Sequence, residues 1–425
     1  MKQQFLDLGK QPLANVFLDT QDEKEFIYDL RVGFDAETKL VTLMDYVDSG
    51  LMFNSDYTYS ASMSETMKRH FFEVASLIYS QYFGGDVSES NLRGYQFDRE
   101  VRLGFPSRKE ADLQGYILEI GSNDGVFMNK FVAHENLVVG VEPCGNFSNI
   151  TNQLGYKTYE RFWNKETSEI IKKENGRPKV VFAANCICHI PDLDETFSAV
   201  EAILDDNGVF IFEDPSLLEM INRNSFDQIY DEHAHIFSVL SLNNILSRNN
   251  LTIIKVINTP VHGGSNIIIA KRTADIKEND IDPSVQINID NEQIFGLDKF
   301  ETFQRWSKKI EDNKIDLLLL LNNLKKSGKK VISYGATSKS TTVFNYCGID
   351  SNLIEFILDT TPAKQGKFSP GMHIPVIKYS PELMSSVSYA FLGAWNFVEE
   401  IKNKESDYVK KGGKFLTHVP KIMMV

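Results

Sequence analysis

Apolar positions change their spacing three times along the chain. Over the first sixty residues they form short runs such as "KLVTLMDYV", punctuated by Gly9, Pro12, Gly33 and Gly50, and an irregular region is predicted there. In "SMSETMKRHFFEVASLIYSQYF" the residues Met63, Met67, Phe71, Val74, Leu77 and Ile78 recur at intervals of three and four. That spacing predicts a helix, with Ser64 where an N-cap can sit. From residue 115 the pattern becomes "GYILEIG", "LVVGVEP", "KVVFAAN" and "GVFIFEDP", short β-rich runs separated by helical stretches. Such alternation predicts parallel βαβ units, whose ligands bind beyond the carboxyl ends of the strands. "LTIIKVI" and "SNIIIAKR", joined only by "NTPVHGG", predict an antiparallel pair at the sheet edge. Residues 273–315 are charged and read as a connector, followed by a helix through "IDLLLLLNNLKK". A second βαβ series follows in "KKVISYGATSKSTTVFNYCGI", "LIEFILD", "YAFLGAW" and "GKFLTHV".

A chain of 425 residues is long for one core, which favours two or three domains. Its 42% hydrophobic and 24% charged residues suit a globular protein. The net charge of −13 argues against a binder of nucleic-acid backbones, which needs clustered Lys and Arg. No window approaches about 18 uninterrupted apolar residues, and the start "MKQQFLDLGK" has no apolar signal region. Neither a membrane span nor secretion is therefore expected, and a cytoplasmic location is. Cys144, Cys186, Cys188 and Cys347 have no CxxC spacing, which fits a reducing compartment and offers no zinc knuckle. Cys186 and Cys188 alternate along a strand end and read as packing residues.

Three stretches carry candidate chemistry. "LEIGSNDGVF" sets Gly121 and Gly125 around a strand-to-helix turn, where glycine permits positive φ and close approach of a ligand. Glu142 ends the next strand, 23 positions after Glu119, where a carboxylate can accept both hydroxyls of a ribose. The turn lacks the GxGxxG cradle of a dinucleotide, and Asp124 would repel a diphosphate. S-adenosylmethionine has no phosphate and carries a sulfonium and an ammonium, so an acid at the turn suits it. "FDQIYDEHAHIFS" crowds Tyr230, Asp231, Glu232, His233 and His235 into six positions, either a solvated loop or a reaction site, because buried ionisable groups need partners. "SYGATSKS" opens a helix after a strand without Walker spacing, offering Thr337, Ser338 and Lys339 to an anion. Lys364 and Lys367 reach the same face if the strand-end loops converge.

"LGKQPLANVF", "EIGSNDGVF", "GVEP", "CHIPDL", "YDEH", "HGGS", "SYGATSKS", "DTTPAKQGKFSPGMHIPV" and "AWNF", in this order, resemble the C-methyltransferases that act on nucleotide-linked 4-keto deoxysugars. The resemblance spans essentially the whole chain. It implies an α/β protein with a Rossmann-like class I methyltransferase domain, a small N-terminal region and a C-terminal second α/β, Rossmann-like domain. The expected division is 1–62 covering the substrate, 63–272 binding S-adenosylmethionine, 273–325 as connector and helix, and 326–425 holding the nucleotide sugar. The family tetrapeptide Tyr-His-Glu-His, whose last histidine serves as base, maps onto Tyr230, Glu232 and His233, with Asp231 in place of the first histidine. His189 resembles the family's histidine after the third strand, and Tyr57 or Tyr59 its N-terminal tyrosine. The family's zinc region uses two CxxC pairs, but this chain has no cysteine before Cys144, so zinc is expected to be absent.

A histidine is suited to removing a proton beside a ketone, since its ordinary pKa lies near working pH. Glu232 is expected to orient the ring or compensate an imidazolium, and Tyr230 and His189 to polarise the substrate. Gly121, Ser122, Asn123, Asp124, Gly125, Glu142, Pro143 and Asn185 are the expected donor site. His262, Tyr334, Thr337, Ser338, Lys339 and Lys364 are the expected substrate site. His262 also reads as a turn neighbour of Gly263 and Gly264, and His235 as structural. Transfer to oxygen or nitrogen of another small anionic acceptor is the alternative chemistry. The partner is a small nucleotide sugar, not nucleic acid or membrane, and the oligomeric state stays open.

Overall fold

The computed structural model describes residues 2–84, 115–131 and 135–425. Strands β1 (Lys2–Pro12), β2 (Ile27–Asp35) and β3 (Val41–Leu43) form an antiparallel sheet where irregular structure was expected. The period of β1 is interrupted by register shifts at Gln4/Leu6 and Asp7/Lys10, which hide its alternation in the sequence. Leu6, Leu8, Leu30, Val32, Phe34 and Val41 nonetheless bury one common face.

The central sheet contains β4 (Ile117–Ile120), β5 (Val138–Val141), β6 (Lys157–Tyr159), β7 (Val180–Ala184) and β8 (Val209–Pro215), all parallel. The dipeptide strand β9 (His235–Ile236) leaves this domain and pairs with β3 of the N-terminal sheet. β10 (Leu251–Thr259) and β11 (Ser265–Arg272) return to the central sheet as the expected antiparallel pair, giving the order β6-β5-β4-β7-β8-β11-β10. The chain runs outward in both directions from β4, so a topological switch lies between β4 and β7, where open α/β sheets bind ligands. Helices cover both faces, which is why these strands are near-continuous apolar runs.

Helix α1 (Glu65–Phe83) starts as expected: Ser64 Oγ accepts the amide of Met67 at 3.3 Å. Met67, Phe71, Val74 and Ile78 face the core, whereas Met63 precedes the helix and is 61% exposed. The charged connector is largely helical. After α2 (Val239–Arg248) come α3 (Pro283–Phe295) and α4 (Phe300–Lys326), the latter starting 15 residues before the "IDLLLLL" run. Phe303, Trp306, Ile310, Leu317, Leu321 and Leu324 form its buried stripe, and Phe303 and Trp306 roof the N-terminal sheet.

The C-terminal sheet has β12 (Val331–Tyr334), β13 (Ile357–Asp359), β14 (Val376–Lys378), β15 (Tyr389–Leu392), β16 (Lys414–Thr417) and β17 (Met423–Met424). Its order is β14-β13-β12-β15-β16-β17, parallel except for β17, and helix α5 (Ser338–Cys347) follows β12. A second switch therefore lies between β12 and β15. Among the described residues no helix is long and apolar enough to cross a membrane.

Candidate active site

The carboxyl ends of both parallel sheets open into one cavity of about 760 Å³, and the N-terminal region closes its side through Asn15, Tyr57 and Tyr59. That volume lies within the range of roughly 300–1,000 Å³ usual for ligand pockets.

At the β4 end the chain must turn under a ligand. Gly121 has φ +73°, and a Cβ there would lie 2.6 Å from Cys186 Sγ, so only glycine fits. Glu142 is buried, and each of its oxygens accepts a backbone amide at 2.8 Å, from Asn123 and from Cys144. Burial pushes its pKa up and the two amides pull it down. Gly121, Ser122, Asn123, Glu142, Pro143 and Asn185 line the cavity. Asp124 and Gly125 do not: Asp124 accepts Ser60 Oγ and the amide of Ser62, while a Cβ on Gly125 would meet Thr151. The Asn123 side chain is also engaged, accepting Ala61 N and donating to Tyr59 O at 3.0 Å each. This turn thus shapes the segment 59–62 as well as the pocket. Glu119, not singled out in the sequence, lines the cavity with Oε2 unpartnered among the described residues. Burial and then Glu142 hold its pKa well above the usual carboxylate range. Glu142 between two amides, and a turn without the GxGxxG cradle, suit the phosphate-free S-adenosylmethionine better than a dinucleotide.

The segment around residue 230 is not a solvated loop. Asp231, Glu232 and His233 are 3%, 3% and 8% exposed. His233 Nδ1 lies 2.6 Å from the carbonyl oxygen of Gln228, which only accepts, so the proton sits on Nδ1. Nε2 therefore presents a lone pair, and the Tyr230 hydroxyl, 2.9 Å away, donates to it. The ring stacks on His189 at 5.2 Å, and His189 stacks on Phe53. Burial, helped by His189, pushes the pKa of His233 well below its ordinary value. Burial takes His189 down to about 4. Both imidazoles are neutral.

Glu232 does not orient this ring, contrary to expectation; the Gln228 carbonyl does. The carboxylate of Glu232 accepts Asn15 Nδ2 at 2.5 Å and Tyr57 OH at 2.9 Å. Of the two candidate tyrosines, Tyr57 reaches Glu232 in the segment 230–233, while Tyr59 is 45% exposed and borders the Gly121–Gly125 turn. Asp231 points away from the cavity and accepts the amide of Ala14 at 3.0 Å. Burial raises the pKa of both acids; the charge of Glu232 raises Asp231 further, while Asn15, Tyr57 and Lys364 pull Glu232 back down. His235 sits in β9, bonded to Thr42 Oγ1 and Pro191 O.

On the far wall, His262 adopts φ +53° and leaves Nε2 unpartnered among the described residues, a strained conformation of the kind found at functional sites. The next residue, Gly263, packs beneath Trp395, whose Nε1 donates to buried Asp227 at 2.7 Å. The C-terminal domain is thereby fastened to the segment that leads into Gln228 and His233. Asn396 beside it also lines the cavity, with both amide atoms buried and unpartnered among the described residues. Ser338 and Lys339 line the cavity at the start of α5, but the hydroxyl of Thr337 is spent capping that helix through Ser340 N. Lys364 is buried, donates to Ala336 O at 2.8 Å and carries its charge near Glu232. Lys367 does not join it and pairs instead with Asp19 outside the cavity. Tyr334 lines the cavity, yet its hydroxyl donates to Glu405 within the C-terminal domain. Asp359 at the end of β13 accepts Ala336 N and Thr361 N, just as Glu142 accepts Asn123 N and Cys144 N.

Residues 260–420 match the family described as C-methyltransferase C-terminal domain, residues 92–256 a methyltransferase domain, and residues 1–53 a zinc-binding domain. The last match does not fit a metal here: residues 1–53 contain neither cysteine nor histidine, so no thiolate or imidazole is available. The C-methyltransferase NovU of Streptomyces niveus is 29% identical over 98% of this chain and 92% of its own length. The magnesium protoporphyrin IX methyltransferase of Synechocystis, solved with bound S-adenosylmethionine, is 12% identical over 48% of this chain and 79% of that one, with a TM-score of 0.29. The CcbJ methyltransferase of Streptomyces caelestis is 11% identical over 37% of this chain and 83% of its own, with a TM-score of 0.28.

Proposed function

We propose that this chain is an S-adenosylmethionine-dependent C-methyltransferase that methylates the carbon beside the ketone of a nucleotide-linked keto deoxysugar, with His233 as the base. The observation that carries this reading is the geometry of the imidazole: Nδ1 lies 2.6 Å from Gln228 O and Nε2 faces the Tyr230 hydroxyl at 2.9 Å, in a buried setting that holds the pKa below its ordinary value.

Gly121 and Ser122 let the donor approach the backbone, and Glu142 offers its remaining lone pairs to the ribose hydroxyls. The donor bound there supplies an electrophilic methyl group. When the keto sugar enters, the Tyr230 hydroxyl leaves His233 for the ketone oxygen, and Nε2 is freed to accept the proton from the adjacent carbon. The phenol then stabilises the enolate, an assignment supported by its burial, which makes one hydrogen bond worth more than in water. Glu232, held by Asn15 and Tyr57, supplies a carboxylate to the same cavity.

The second crevice suits the nucleotide part. Lys339 and the free amides opening α5 favour a diphosphate, and Asp359 repeats the geometry by which Glu142 serves a ribose. Lys364 lies between the two ends. The test is a donor-dependent screen of nucleotide keto deoxysugars, with mass detection of one added CH₂. A product carrying the methyl on the carbon beside the ketone supports the reading; turnover confined to acceptors without a ketone would refute it.

A further inference from the structure

The segment carrying His233 is bonded to the N-terminal region on both sides of the imidazole. Beyond it, the amide of Leu43 and the hydroxyl of Thr42 both donate to Ala234 O at 2.9 Å, and β9 pairs with β3. Before it, two consecutive acids grip one dipeptide: Asp231 takes the backbone amide of Ala14 and Glu232 takes the side chain of Asn15. The carbonyl of Ala14 is held from the opposite side by Thr341 Oγ1 of α5 at 3.1 Å. Ala14 and Asp231 are 2% and 3% exposed, so this is no surface contact.

Placing a second carboxylate beside Glu232 in a buried site is costly unless its hydrogen bond does something the fold needs. The bond fixes the peptide from which Asn15 extends, and Asn15 with Tyr57 supplies the donors that the Glu232 carboxylate uses. Residues 1–53 have neither thiolate nor imidazole for a zinc site, and the dipeptide is held by its contacts with the rest of the chain. We propose that Asp231 and Asn15 are positioning residues: Asp231 clamps the Ala14 amide, and Asn15, so placed, holds with Tyr57 the Glu232 carboxylate in the cavity that His233 also lines. The proposal rests on the reading that Glu232 serves proton abstraction in that cavity.

The test uses the full chain and three variants, Asp231→Ala, Asp231→Asn and Asn15→Ala. Hydrogen exchange at the Ala14 amide reports the clamp, and steady-state kinetics report its consequence. Asparagine at 231 keeps an acceptor oxygen, so Asp231→Asn should retain Ala14 protection and most of the activity. Asp231→Ala should release the amide and lower kcat about tenfold or more with the KM for the donor unchanged, the scale of one buried hydrogen bond. Asn15→Ala should lower kcat to a similar extent while Ala14 stays protected. Unchanged kcat in either alanine variant overturns the proposal, as does a loss confined to thermal stability or failure of asparagine to rescue. If Asp231→Ala does not fold, Asn15→Ala and Asp231→Asn decide. If the wild-type protein turns over no nucleotide keto sugar, the acceptor assignment falls, and the clamp is judged on Ala14 exchange alone: equal protection in wild type and Asp231→Ala refutes it.

Discussion

Glu142→Gln isolates the carboxylate that ends β5 without changing its size. In the native protein each oxygen accepts a backbone amide at 2.8 Å, and the residue is 5% exposed. A glutamine has one oxygen, so its NH₂ must face either Asn123 N or Cys144 N, and one charged hydrogen bond is lost. Such bonds are worth about 1.5–3 kcal/mol. Burial pushes the pKa of Glu142 up, so neutralising it also relieves a desolvation cost and places the effect near the lower end. The same change leaves one oxygen in place of two for the ribose hydroxyls, and a charged hydrogen bond lost there, about 1.5 kcal/mol, corresponds to roughly a tenfold weaker Kd. Calorimetric titration with S-adenosylmethionine should show that loss, with a fall in Tm of roughly 2–4 °C as the β4 turn loosens. A lowered Tm with donor affinity unchanged would refute the ribose role and leave Glu142 as a brace for the turn.

Other outcomes follow from the same geometry. With His233 as the proposed base, activity should be present above its folded pKa and lost as pH falls through it; because burial depresses that pKa, the acid limb of kcat/KM should lie below about pH 6.5. A limb centred above neutrality would contradict the assignment. Gly263→Ala places a Cβ 2.3 Å from Trp395 at φ +89°, so strain of about 1–2 kcal/mol and overpacking of about 1–3 kcal/mol should together lower stability in denaturant titration and raise the KM for the acceptor. Retained stability would mean that the Trp395 contact yields easily. Prolonged treatment with a chelator should leave Tm and activity unchanged, since residues 1–53 offer no thiolate or imidazole; a loss restored by zinc would show a metal held elsewhere.

The two parallel sheets were legible, apart from the three-residue edge strands β6 and β14, because buried strands read as continuous apolar runs and their ends as glycine and acid. The N-terminal sheet was not, because bulges in β1 break the alternation and because its fourth strand, His235–Ile236, is only two residues long and comes from the far side of the sequence. Helix α4 was legible only in its leucine-rich half, although Phe303, Trp306 and Ile310 continue the same stripe beneath many charges. At the site, residue type indicated the cluster at 230–233, but not which atom holds which. That Gln228 orients His233, and that Glu232 serves Asn15 and Tyr57, depends on contacts between residues more than 170 positions apart in the second case and on the local fold of a turn in the first. Lys364 and Lys367 illustrate the same limit: three positions apart, one enters the cavity and the other pairs with Asp19.

The central claim is that the imidazole of residue 233 removes a proton from carbon. It is tested most directly by incubating the protein in D₂O with a nucleotide keto deoxysugar and no methyl donor, and following the hydrogens beside the ketone by NMR. Wild-type protein should exchange one of them for deuterium, and His233→Ala should not, while still binding S-adenosylmethionine as wild type does. Exchange that persists in His233→Ala, or methyl transfer by wild type with no exchange under any condition, would contradict the account.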